Sequence, residues 1–247
     1  MNKTVIIIPS RLDALRFPNK PLALINKKEM ILHVYEAAKK ANTGEVYVAT
    51  PDQKIIDVVT NNGGKAVFTS LNHKTGTDRI YEVFKTLQKN EPNIIVNLQG
   101  DMPNIDPQAI TDLISYMNKN QCDIGTLASS FRSEKELADE NNVKVVVNRK
   151  IDNNNFSEAT DFFRSSTKTF ENFYHHVGIY AFTNKALIRY VSLERSKLEL
   201  ERKLEQLRAL ENNMSIHVGY INSSPLSVDT KIDLIEVMEE FAKFPHL

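Results

Sequence analysis

The chain has 247 residues, 31 basic against 31 acidic side chains, 41% hydrophobic and 25% charged residues. This balance fits an ordinary globular protein and excludes a global pull towards nucleic acid or a membrane surface, so any charge-based function must be local. The single cysteine, Cys122, excludes an internal disulfide and a cysteine zinc cluster and reads as a small core residue; with only Lys3 ahead of a short apolar run that ends at Pro9, no signal peptide or span is expected and the expected location is the cytoplasm.

In chain order, residues 4–8 (TVIII) read as a buried strand and residues 30–41 as a helix in which Ile31, Val34, Tyr35 and Ala38 share a face. Residues 45–50 form the next strand, Asp52 is placed to cap a helix through IIDVVTNN, Gly63-Gly64 turns the chain, and residues 65–70 form a further short strand. Thr77 to Leu87 reads as a helix, residues 93–100 (NIIVNLQG) as an apolar strand, and Pro107 to Asn118 as a helix with proline in its first turn. Strands follow at 123–131, 142–148 and 175–182, with 150–173 polar, asparagine-rich and without an assigned element. A helix at 184–191, a segment opened by Ser196 and Glu199 in capping-box spacing, a strand in MSIHVGYI and a last helix starting at Asp229 complete the chain. Apolar strands alternating with amphipathic helices predict an α/β fold of the three-layer αβα class, built on a mostly parallel, mixed central sheet. The length suits one domain, residues 1–247, with neither a repeat nor a clear linker.

Ligands of such sheets bind beyond the carboxyl ends of the strands, which directs attention to three loops. The first, PSRLDALRFPNKP, places Arg11, Arg16 and Lys20 directly after the first buried strand; such a loop serves equally as a solvated edge or as the receptor of an anionic ligand such as a triphosphate. Neither GxGxxG nor GxxxxGK[ST] occurs, which argues against a dinucleotide dehydrogenase and a P-loop enzyme. The second, NLQGDMP, ends a strand in Gln99-Gly100-Asp101; Asp101 suits Mg²⁺ or a turn, and Asp106 before Pro107 is the better helix cap. In the third, SVDT, Asp229 reads by itself as the N-cap of the last helix.

The strings IPSRLDALRFPNKPL, VATPD, TGTDR, NLQGDMP, HVGIY, LEQLR and SVDT, in that order from about Val5 to Leu234, resemble the CMP-Kdo synthetases, the 3-deoxy-manno-octulosonate (Kdo) cytidylyltransferases. The resemblance implies a Rossmann-like nucleotidyltransferase fold and a cytosolic, Mg²⁺-dependent enzyme that joins CTP to the anomeric hydroxyl of Kdo, releasing pyrophosphate, for lipopolysaccharide assembly. It implies that Arg11 and Lys20 hold the CTP phosphates with Arg16 as helper, that Thr77 and Arg79 of TGTDR lie beside the nucleotide, and that Asp101 and Asp229 bind the metal. His176, Tyr180, Glu205 and Gln206 match positions facing the sugar acid, and Gln99 is placed between the two substrates. His175 is expected to face the other way along the strand. Residues of about 123–212 then include a sugar-binding and dimerisation excursion, and a homodimer without nucleic-acid or membrane partners is expected.

Two departures stand out, of which the first bears on the sugar half. FSEATDFFRSS carries Glu158 where the family commonly has an arginine, with Arg164 a possible substitute in another register, and Met102 stands where an acidic residue is common. The alternatives are the same chemistry on an amino-Kdo or a nonulosonate, and a non-catalytic nucleotide-binding homologue. The leucines of 193–210 read as a packed helix rather than a coiled coil, with dimer packing a family expectation, and His33, His73, His217 and His246 share no metal-ligand spacing and receive no function.

Overall fold

The computed structural model describes all residues except 1–2, 14–15, 88–91, 154, 166–169, 223 and 244–247, so His246 and parts of the opening loop and of the 150–173 stretch lie outside the described residues. The chain divides into two compact units, one of residues 1–112 and 225–247, the other of residues 113–224.

The first unit is built on β1 (Thr4–Pro9), flanked by a hairpin of β2 (Leu24–Ile25) and β3 (Lys28–Glu29), then α1 (Met30–Lys40), β4 (Glu45–Thr50), α2 (Gln53–Asn61), β5 (Ala66–Phe68), α3 (Gly76–Thr86) and β6 (Ile94–Leu98). The strands run in the order β5-β4-β1-β6, and β1 is parallel to both β4 and β6, with Ile7 opposite Tyr47 on one side and Asn97 on the other. Ile6, Ile7 and Ile8 are fully buried, as expected for a central parallel strand covered on both faces. Helix α4 (Pro107–Lys119) begins in this unit, where the Asp106 carboxylate accepts the Gln108 N–H at 2.8 Å in the capping role expected of it.

The second unit contains β7 (Ile124–Ser129), α5 (Glu134–Ala138), β8 (Lys144–Val147), β9 (Phe156–Phe163), β10 (Phe173–Thr183), α6 (Asn184–Ser192), α7 (Lys197–Arg202), α8 (Leu207–Glu211) and β11 (Ile216–Tyr220). Its strands are mixed: β11 is parallel to β7, whereas β10 with β7, β11 with β9 and β8 with β9 are antiparallel. The stretch 150–173, which polarity left without an element, supplies β9; its apolar side chains alternate around Glu158 and Thr160, and Ser157, Ala159 and Phe162 are buried. The expected leucine-rich helix is instead two short ones, broken where Lys203 takes a left-handed φ of 55°. Cys122 is buried with its Sγ 3.3 Å from Met117 Sδ, and burial pushes its thiol pKa up to about 12, the unreactive core residue expected.

Helix α9 (Lys231–Lys243) returns to the first unit, where Val237 and Phe241 join Phe17, Ile25, Met30 and Val228 in one apolar cluster. That cluster pins the loop after β1, the β2-β3 hairpin and the segment before α9 together, and so fixes where Lys20 and Asp229 meet.

Candidate functional site

The loop after β1 is tied down by its own backbone. Leu12 N–H donates to the Asp52 carboxylate at 2.8 Å and Leu12 C=O accepts from Asn19 N–H at 3.0 Å. Asp52 therefore does not cap α2 with its side chain, as its position before the helix suggests; the carboxylate is spent on holding the basic loop. Asn19 adopts φ 60°, ψ 17°, the left-handed geometry that asparagine tolerates, and turns the chain into the short 3-10 turn Lys20–Leu22 without a glycine.

At the end of β6, a Cβ on Gly100 would stand 3.3 Å from Pro9 C=O and 3.4 Å from Ile8 and Ile31, a tight fit that glycine relieves where this strand end passes β1. The residues on either side are thereby carried to the mouth of the sheet. A cavity of about 310 Å³ opens there, lined by Arg11, Lys20, His73, Arg79, Gln99 and Asp101 among others. The N-terminus of α3 also borders it, through Thr75, whose hydroxyl caps Asp78 N–H at 3.1 Å, and Gly76.

Lys20 is the hub. Its Nζ stands 2.6 Å from Val228 C=O, 3.1 Å from Asp101 Oδ2 and 3.4 Å from Asp229 Oδ1, with the Lys20 side chain 14% exposed. Arg16 reaches Asp229 Oδ2 at 3.0 Å from the solvent side. Asp229 is left free for this by its neighbour: α9 is capped by Thr230, whose hydroxyl accepts the Asp233 N–H at 3.3 Å while the Asp233 carboxylate accepts the N–H groups of Asp229 and Thr230 at 2.8 and 2.7 Å. The helix starts at Lys231, not at Asp229.

Arg79 is buried, with Nη1 donating to Thr69 Oγ1 at 2.6 Å and Ser70 C=O at 3.0 Å. Burial lowers its pKa and the neighbouring charge of Arg11 lowers it further, so two like charges bear on one cavity. Such an arrangement favours an anion, because the anion relieves the repulsion as well as making charge-assisted hydrogen bonds. Thr77 is buried behind the wall, where its hydroxyl accepts from Asn97 Nδ2 at 3.3 Å, and Asn97 Oδ1 accepts from Gln99 Nε2 at 3.0 Å. His73, to which the sequence assigns no function, borders the cavity with its Nε2 hydrogen-bonded to the Glu82 carboxylate. Its spacing carried no motif.

Asp101 and Asp229 are the residues suited to a metal. Among the described residues no group of three or more His, Cys, Asp or Glu could hold one. The two carboxylates nevertheless converge on one cationic group, and hard oxygen donors of this kind fit Mg²⁺ when phosphate oxygens and water supply the remaining ligands.

The second unit gathers the other predicted residues. His176 Nε2 lies 2.9 Å from Thr126 Oγ1, and with that hydroxyl donating to Ile179 C=O at 2.7 Å the imidazole is assigned as the Nε2–H donor. Its ring meets Phe162 edge-on at 5.2 Å and Tyr180 at 5.4 Å. Burial, with a small push from His175, holds the His176 pKa at about 3, so the ring is neutral near pH 7 and offers a hydrogen bond rather than a charge. Burial and the Glu205 carboxylate raise the Tyr180 hydroxyl well above its ordinary value, which brings His176, Tyr180 and Glu205 into one neighbourhood. Gln206 is buried beside Glu205, and Tyr190 Oη donates to the Glu205 carbonyl at 2.7 Å. His175 faces away as expected, stacked on Phe131 and 3.1 Å from Glu136.

Of the two departures, Met102 is buried next to Asp101 in the chain. Glu158 is exposed on β9 and accepts from Asn148 Nδ2 at 3.3 Å. Arg164 is occupied with the carbonyls of Glu140 and Asn141, at 3.0 and 2.7 Å.

Parallel strands in the first unit, a cationic cavity at their carboxyl ends, and a strand-end and a helix-start carboxylate meeting on one lysine fit the α/β nucleotidyltransferase fold. A family profile described as "Cytidylyltransferase" matches residues 5–216. The 3-deoxy-manno-octulosonate cytidylyltransferase of Bartonella henselae is 41% identical over 241 residues, covering 96% of this chain and 98% of the relative, and that of Brucella ovis is 42% identical over 234 residues, covering 94% and 93%. A solved structure described as CMP:2-keto-3-deoxy-manno-octonic acid synthetase complexed with CTP superposes with a TM-score of 0.87 at 37% identity, covering 98% of this chain and 99% of that one. A 4-diphosphocytidyl-2C-methyl-D-erythritol synthase from Anaerococcus prevotii, 13% identical with a TM-score of 0.65 over 98% of this chain and 99% of its own, shares the fold. The chain belongs to the 3-deoxy-manno-octulosonate cytidylyltransferase family.

Proposed function

We propose that the protein transfers the cytidylyl group of CTP to the anomeric hydroxyl of Kdo, giving CMP-Kdo and pyrophosphate for lipopolysaccharide synthesis, as a Mg²⁺-dependent cytoplasmic homodimer. The expected three-layer, Rossmann-like arrangement belongs to the same proposal. The observation that carries it is the meeting of Arg11, Lys20, Arg79 and Asp101 at one cavity, with Asp229 joined to it through Lys20, which matches the needs of a triphosphate losing pyrophosphate.

The hydroxyl attacks the α-phosphorus in line as pyrophosphate leaves, and charge spreads over the phosphate oxygens, so positioning and charge neutralisation supply most of the catalysis. Arg11 and Lys20 take up the charge of the departing pyrophosphate, with Arg16 assisting from solvent. Arg79, fixed by Thr69 and Ser70, and Thr77, fixed by Asn97, shape the nucleotide wall. Mg²⁺ held by Asp101 and Asp229 would supply Lewis-acid polarisation of the α-phosphate and of the attacking hydroxyl. On the sugar side, neutral His176, Tyr180, Glu205, Gln206 and Gln99 offer hydrogen-bonding groups to a polyhydroxylated acid. A covalent enzyme intermediate is not required.

The test is pyrophosphate release from CTP with Mg²⁺ across Kdo, 8-amino-Kdo and nonulosonates. Release with Kdo supports the proposal. Release only with another acid reassigns the sugar, and CTP binding without release on any acid leaves a nucleotide-binding homologue.

A further inference from the structure

Lys20 has more than one demand on it. Its ammonium contacts both carboxylates and the Val228 carbonyl at once, at 3.1, 3.4 and 2.6 Å, so all three oxygens surround a single point. Mg²⁺ binds oxygen at about 2.0–2.1 Å, which would bring it into the space that the ammonium takes up, with a strong like-charge repulsion. On those carboxylate oxygens the metal and the ammonium would be alternative occupants.

We propose that Lys20 guards the metal site, so that a divalent cation is accepted with the nucleotide and not before it. The proposal rests on the reading of Asp101 and Asp229 as metal ligands given above. While Lys20 lies on the carboxylates, it neutralises them internally and a bare cation must displace it at the cost of two ion pairs and the Val228 hydrogen bond. A triphosphate offers the ammonium a better destination: Lys20 lines the same cavity as Arg11 and Arg79, and phosphate oxygens carry more charge than the two carboxylates together. Moving Lys20 onto the phosphates frees both carboxylates at the moment when the nucleotide brings its own oxygen ligands for the metal. The flexible lysine stem suits this double duty, whereas the rigid fork of an arginine would not exchange so readily. Arg16 does not replace Lys20 in the guard, because it meets the other oxygen of Asp229, Oδ2, from a side chain that is 57% exposed.

The test is binding of Mn²⁺, a spectroscopic stand-in for Mg²⁺, to the protein without nucleotide, followed by the loss of the free-ion paramagnetic resonance signal. The comparison is wild type, Lys20→Gln, Lys20→Met, Asp101→Asn and the double variant Lys20→Gln/Asp101→Asn, each checked for a native melting transition. Removing the ammonium is expected to tighten Mn²⁺ by about tenfold or more, and adding Asp101→Asn should abolish the gain. Lys20→Gln retains a donor for Val228 C=O, so the comparison survives if Lys20→Met fails to fold. In wild type alone, Mn²⁺ should raise the melting temperature little without CTP and markedly with it.

Equal Mn²⁺ affinity in wild type and both Lys20 variants, with Asp101→Asn still weakening it, overturns the guard and leaves the metal site standing. Mn²⁺ binding that Asp101→Asn does not change in any background instead removes the metal assignment itself.

Discussion

Replacing Glu199 by alanine tests how the sugar-side segment is held. The Glu199 carboxylate is fully buried and accepts from Arg208 Nε at 2.8 Å and Nη2 at 2.7 Å, from Arg195 Nε at 2.8 Å and from Ser196 N–H at 3.3 Å. Arg208 is itself buried, with its guanidinium 4.6 Å from the Tyr190 ring, so the variant takes a charged partner away from a desolvated cation. Breaking a buried pair from one side costs about 3–5 kcal/mol. Arg195 is 43% exposed and contributes at most a small part of this, and the Tyr190 ring offsets a fraction. A loss of about 3–4 kcal/mol is expected, read by urea titration at pH 7, with a fall in melting temperature of about 10 °C. Burial would raise the Glu199 pKa, but the hydrogen bonds from Arg208 and then Arg195 outweigh it and hold the carboxyl below its ordinary value. Its contribution is therefore complete above the ordinary carboxylate range and disappears as pH falls through the depressed folded value, so wild type and variant should converge in acid. Because Tyr190 Oη binds the Glu205 carbonyl, the variant assayed below its melting point should raise KM for the sugar acid more than for CTP. A loss below about 1 kcal/mol, or equal stability differences at pH 7 and pH 3, would refute the reasoning.

Arg11→Ala removes one of the two like charges on the cavity; KM for CTP should rise by about tenfold or more, in line with the strength of charge-assisted hydrogen bonds, as initial-rate kinetics would measure. Asp52→Ala takes away the acceptor of the Leu12 N–H and should loosen the basic loop, raising KM for CTP by a few fold with faster hydrogen exchange at residues 10–13, whereas an effect confined to α2 would show that the carboxylate is only a cap. His176 stays neutral in the fold because burial lowers its pKa to about 3, while in the unfolded chain it takes a proton near the ordinary value of 6.5. Its contribution to stability is thus complete above 6.5 and is lost as pH falls towards 3, so His176→Asn should flatten the acid side of a stability–pH curve; an unchanged slope would contradict the burial.

Strands β1, β4, β6 and β10 were legible because a buried strand writes a continuous apolar run, and Asp106 was legible as a cap because proline follows it. β9 was not, since the buried residues that alternate with exposed Glu158 and Thr160 are the small Ser157 and Ala159, and the larger buried pair, Phe162 and Phe163, comes only at its end. Asp52 was misread for a different reason. A carboxylate in the residue before a helix has the cap position by sequence, but Leu12, 40 residues away, offers its N–H at 2.8 Å, and no local pattern records that competition. The Glu199–Arg208 pair was half visible: the capping-box spacing marked Glu199, while nine residues separate it from the cation that dominates it.

Asp229 shows how a local rule can assign to one residue a role that the fold gives to its neighbours. Read alone, an aspartate just before a helix is its cap, and only the family resemblance moved it to the metal. In the fold the choice is made by its neighbours: Thr230 and Asp233 satisfy the first amides of α9 between them, Asp229 contributes its backbone N–H to that box, and its carboxylate is left to point at Lys20. The cost of the helix end is thus carried by residues that do no chemistry, which is what allows a strand-end carboxylate, Asp101, and a helix-start carboxylate, Asp229, to converge on one cation from positions 128 residues apart in the chain. Thr230→Val should therefore weaken the site without touching it. With the box broken, the Asp229 carboxylate becomes the nearest substitute for the exposed amides, and the expected loss of about 1 kcal/mol in stability should be accompanied by a weaker response of the protein to Mn²⁺ in the presence of CTP. A variant that loses the stability but keeps that response would mean that Asp229 is held by Lys20 and Arg16 alone.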